Sequence, residues 1–199
     1  MNAGISGSDP AFELKLLEMR LFQYHPDAVV MSINKSDITD FMVRGGEERF
    51  RADSTVVYRK PPWWENIYGS SVIVRTFIHG VCRLNADFMN AAEADSAYRK
   101  SLNDIIITIL KCNKECTDRQ IRFIANFHPT CDEIKEGYMN LDPVKIFVQE
   151  KGVEIFDMRN YFKFHNIDST SADHYYLQYD GHHNNKGYAV FAQGLSGLF

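Results

Sequence analysis

DAVVMSI, residues 27–33, is a short unbroken apolar run. That is the pattern of a strand covered on both faces, not of one alternating between core and water. Its flanks decide what kind of fold it belongs to. Upstream, in GSDPAFELKLLEMRLFQYHP (residues 7–26), Asp9 is placed to cap a helix and Pro10 suits its first turn. Leu14, Leu17, Leu21 and Tyr24 then share one stripe until Pro26 stops it. Downstream, NKSDITDF (residues 34–41) reads as a polar turn. Helix, buried strand and turn make one segment of an alternating α/β fold.

The same strand pattern returns in IRFIANFHP (residues 121–129) and in VEIFDM (residues 153–158). Helical spacing is read over 71–84 and over 91–112, where Tyr98, Leu102, Ile105, Ile109 and Cys112 recur at threes and fours. Another helix is expected over 143–151, stopped by Gly152, and a last one over 186–195. A polar, aromatic loop is expected between the third strand and Asp180. Residues 42–70 hold a Gly pair, a Pro pair and both tryptophans without a lasting period. They are read as a surface excursion of one domain spanning 1–199, being too short for a core of their own. The expected class is α/β with a mostly parallel sheet.

Bulk properties exclude several roles. A formal charge of -4 and a pI near 6.0 provide no basic field to hold a nucleic acid. No apolar run approaches the roughly 18–20 residues of a transmembrane helix. MNAGISGSDP has neither the basic leader nor the apolar centre of an export signal. Cys82, Cys112, Cys116 and Cys131 form no CxxC pair. His128, His174, His182, His183 and Asp180 are the raw material for a metal-dependent hydrolase, but no H-x-H or H-E-x-x-H spacing is present. Neither a metal nor another cofactor is expected.

In open parallel sheets reactive groups collect outside the carboxyl ends of the strands. That rule gathers SINKSDITD, NFHPT and DGHHNN at one edge, with NAGISG just before the first helix beside them. An acyl-transfer serine needs a base, and the base needs an acid to set its tautomer and steady its charge. Asp180 and His182, two apart, meet that need locally, with His183 as the alternative base.

These blocks resemble the SGNH/GDSL hydrolases, a family of serine esterases on a flavodoxin-like three-layer α/β/α sandwich. The resemblance runs from Asn2 to Leu195. It implies that NAGISG supplies the Gly7 N–H to an oxyanion hole. It also implies that the block after the next strand supplies a second donor. Alignment puts Ser36 where that donor stands, with Asn34 two residues earlier. In the family's final block the histidine lies five residues before a glycine, and counting back from Gly187 gives His182.

The family's nucleophile block, G-D-S after the first strand, has no counterpart here, and no serine sits in a G-x-S-x-G setting. The resemblance therefore implies a chain that begins after that block and lacks the first, central strand. By itself it is expected to be inactive toward esters, with one sheet edge open. Trp63, Trp64 and Arg44 are candidate contacts to a small-molecule or carbohydrate ester. A ligand-binding module on the same fold, without catalysis, is the alternative.

Overall fold

Why each apolar run settles where it does follows from its flanks. The computed structural model describes every residue except Met1, Ser6, Ser54, 58–61, Ala86 and Asp180. These residues divide into two compact units, 1–37 with 106–199, and 38–105.

In the first unit the three apolar runs form strands β1 (Ala28–Ile33), β2 (Arg122–Phe127) and β3 (Glu154–Asp157). They pair in parallel in the order β1-β2-β3, with Met31 opposite Ala125 and Ala125 opposite Ile155. The α/β class with a parallel sheet expected from the sequence is what forms. Buried β2 residues Phe123, Ile124, Ala125 and Phe127 make the centre of the sheet. Among the described residues, β1 pairs on one side only.

Helix α1 (Pro10–Leu16) starts as its sequence dictates: the Asp9 carboxylate accepts from the Phe12 N–H, and Pro10 occupies the first turn. Leu14 and Leu17 are buried, but the stripe fails at Tyr24, which is exposed. Over Leu17–Leu21 the helix widens into a π turn and then tightens into a 3-10 turn at Phe22–Tyr24, so the register shifts. His25, at a left-handed φ of 47°, and Pro26 end it.

Two stretches read as loops are helices. Residues 34–41 lie mostly in α2 (Lys35–Arg44). Asn34 caps it through the Ser36 N–H at 2.7 Å, while the Asp37 carboxylate returns to the Asn34 N–H at 2.8 Å. Ile38 and Phe41, three apart, are buried. Beyond β3, Asp157 caps α8 (Met158–Phe164), which buries Met158 and Phe162 on one face. Helix α6 (Cys131–Glu136) was also unforeseen, although the Thr130–Glu133 pair forms a full capping box. Helix α7 (Asp142–Glu150) and Gly152, with φ at 85°, match expectation. So does the last helix, α9 (Asn185–Ser196).

The second unit holds most of α2, then α3 (Glu65–Ser70), α4 (Val72–Gly80) and the first part of α5 (Ala91–Thr117). The residues expected as an excursion over 42–70 belong to this unit. Trp64, Tyr68 and Phe88 meet edge to face, with Phe88 4.8 Å from Trp64 and 4.9 Å from Tyr68. Among the described residues no helix is long and apolar enough to cross a membrane.

Candidate functional site

The carboxyl edge of the sheet in the first unit is built on Asn34. Its side-chain oxygen accepts from both the N–H and the hydroxyl of Ser36, each at 2.7 Å. The carboxamide nitrogen must therefore point the other way, and it lies 3.1 Å from Nε2 of His128, one residue past β2. An amide NH2 only donates, so Nε2 accepts and the His128 proton sits on Nδ1. Burial holds this ring neutral and lowers its pKa to about 3, with His183 nearby adding to the effect. Nδ1 itself is buried and meets no partner among the described residues.

From the other side comes the turn before α9. Asn184 caps this helix through the N–H groups of Lys186 and Gly187, while its amide donates to the carbonyls of His174 and Tyr176. One side chain thus ties the helix start to the loop before it. The turn sends its two histidines in different directions. His183 is buried, its ring 4.4 Å from Tyr176, 5.8 Å from Phe191 and 6.1 Å from His128. Desolvation lowers its pKa to about 4, opposed by the neighbouring Tyr175 carbonyl, which favours the charged ring. Neither of its nitrogens reaches hydrogen-bond geometry among the described residues. His182 stays exposed, and its carbonyl accepts from the Leu177 N–H at 2.7 Å.

Close packing accounts for Gly187. A Cβ there would stand 2.1 Å from the Tyr175 carbonyl oxygen and 2.8 Å from Nδ1 of His183. Below this contact the buried Tyr176 hydroxyl donates to the Pro129 carbonyl at 2.7 Å.

The structure therefore brings Asn34, His128 and His183 together, with Ser36 held against Asn34. Gly7, exposed with φ at 74°, lies in the segment before α1. Asp180 and Ser6 lie outside the described residues. Trp63, Trp64 and Arg44 are in the second unit, where Arg44 pairs with Asp40 at 3.2 Å. Among the described residues no three His, Cys, Asp or Glu side chains gather as a metal-ligand set.

His128 entered the sequence reading only as raw material for a metal site and within the NFHPT block, not as the partner of Asn34. Its signal was position alone: a polar residue directly after a buried strand, at the edge where reactive groups collect. The chain matches no protein-family model, no curated protein and no solved structure.

Proposed function

We propose that this edge is the base and oxyanion side of an ester hydrolase of SGNH/GDSL type, on a sheet of flavodoxin-like order. In this reading His182 takes the proton of an attacking serine, and Asp180 steadies the imidazolium. The Gly7 N–H and the Asn34 amide hold the oxyanion; the Ser36 hydroxyl is the alternative donor if it turns away from the Asn34 oxygen to which it donates. Collapse of the tetrahedral intermediate releases the alcohol, which takes the proton from His182. Water then repeats the cycle and frees the acid. The substrate is a small-molecule or carbohydrate ester.

The serine is assigned to a strand outside these 199 residues that pairs with the edge of β1 left unpaired among the described residues. One observation carries the reading. The turn commits His183 to an aromatic core beside His128 and leaves its neighbour His182 exposed. An exposed imidazole in that turn is open to a substrate, as the proposed base requires.

Joined to the sequence encoded upstream, the protein is expected to hydrolyse p-nitrophenyl acetate. His182→Ala should lower kcat by about 1,000-fold or more, while residues 1–199 alone should show no turnover. Full turnover by the joined His182→Ala variant rejects the base. Turnover by 1–199 alone that is lost on His182→Ala keeps the base but rejects the assignment of the serine.

A further inference from the structure

The corner formed by α3 and α4 in the second unit turns its apolar side outward. Two adjacent tryptophans show the division. Trp64 packs into the cluster with Tyr68 and Phe88, whereas Trp63 is 86% exposed. Along α4, Ser71, Val74 and Ile78 form the half-buried inner side. Ile73 is 82% exposed, Val81 just past the helix is 68% exposed, and Phe77 and Ile67 are about half exposed. Single exposed apolar residues are ordinary; this many on one short corner are not.

Charge selects the occupant. Over residues 59–85 the sequence has four Lys or Arg and a single carboxylate, Glu65, in a chain whose formal charge is -4. Arg75 and Arg83 are exposed within the same corner. On α4, Arg75 and His79 flank the apolar side rather than interrupt it, the arrangement of a helix lying in a bilayer interface. The corner is also braced to keep its shape. The Tyr68 hydroxyl lies 2.7 Å from Nε2 of His79, and Nδ1 of His79 lies 2.8 Å from the Leu84 carbonyl. Exposed apolar side chains beside arginines, with an exposed tryptophan just before α3, suit the boundary between headgroups and acyl chains.

We propose that the α3–α4 corner docks on an anionic lipid bilayer, inserting Trp63, Ile73 and Phe77 while Arg75 and Arg83 engage the headgroups. The helix lies on the membrane and does not span it. The proposal stands apart from the esterase reading and needs no turnover to test.

The test is co-sedimentation of the 199-residue chain with vesicles of phosphatidylcholine alone and of phosphatidylcholine with 30% phosphatidylglycerol. Binding is expected on the anionic vesicles and should weaken with salt. Ile73→Glu and Phe77→Glu should each lower the partition constant about tenfold or more. Arg75→Gln and Arg83→Gln should each lower it about fivefold. All four positions are exposed, so circular dichroism should be unchanged. Absence of binding, or binding equally strong on neutral vesicles, overturns the proposal. So does self-association that Ile73→Glu abolishes without any vesicle binding, which would make a second copy the occupant.

Discussion

The amide nitrogen of Asn34 lies 3.1 Å from Nε2 of His128, joining the loops that follow β1 and β2 across 94 residues of sequence. Because the Asn34 oxygen is spent on Ser36, the direction of this bond is settled, and so is the tautomer of the histidine. Asn34 is thereby held at both ends of its side chain. An oxyanion donor needs that kind of fixed aim, since its worth depends on being in place before charge develops.

The two buried rings near this bond make stability depend on pH. His128 and His183 titrate in the fold at about 3 and about 4, below the unfolded value near 6.5. Between those limits the unfolded chain binds more protons, so stability is complete above about pH 6.5 and falls as the pH drops. Half-buried Glu13, whose carboxyl is raised by desolvation, works in the opposite sense at the acid end. Urea denaturation is expected to show a loss of about 3 kcal/mol between pH 6.5 and 5. A flat profile would mean that the rings are not buried neutral.

His183→Phe separates the two histidines of the turn. Phenylalanine fits among Tyr176, Phe162, Tyr188 and Phe191 and removes two nitrogens that lack partners. A gain of about 1 kcal/mol at pH 7 and a shallower pH profile are expected. In the catalytically complete protein this variant should retain turnover, in contrast to His182→Ala.

Gly187→Ala tests the close approach of α9 to the loop before it. The added methyl has no room against the Tyr175 carbonyl, which is backbone and cannot rotate away. A loss of about 2–3 kcal/mol is expected by thermal or urea unfolding. A neutral result would show that the turn relaxes.

Asn184→Ala removes the cap of α9 and two donors to the 174–176 loop at once. A helix cap alone contributes about 1 kcal/mol. The two loop bonds should bring the loss to about 2 kcal/mol. Asn184→Asp keeps the acceptor but not the donors and should recover roughly half. Equal losses for both variants would place the whole effect in the loop.

Elements with an unbroken apolar run or a long period were legible. The strands were found within a residue or two of their ends, because burial on both faces leaves no polar position inside them. Helices α2, α6 and α8 were missed because they are short or begin with polar residues. What holds each in place is a cap, at Asn34, Thr130 and Asp157 respectively, together with one or two buried side chains. The apolar stripe of α1 misled at Tyr24, since a helical period presumes uniform geometry and the π turn breaks it.

The site divides in the same way. Chain direction gathered the loops after β1 and β2 at one edge, because it depends on local order along the chain; the choice of His182 rests on the family spacing to Gly187 and stays a proposal. Which imidazole is buried, that His128 receives the Asn34 amide, and that Gly187 tolerates no methyl were decided only in three dimensions. Each of these depends on segments distant in sequence arriving within a few ångströms, and the preferences of a residue's own neighbours do not encode that meeting.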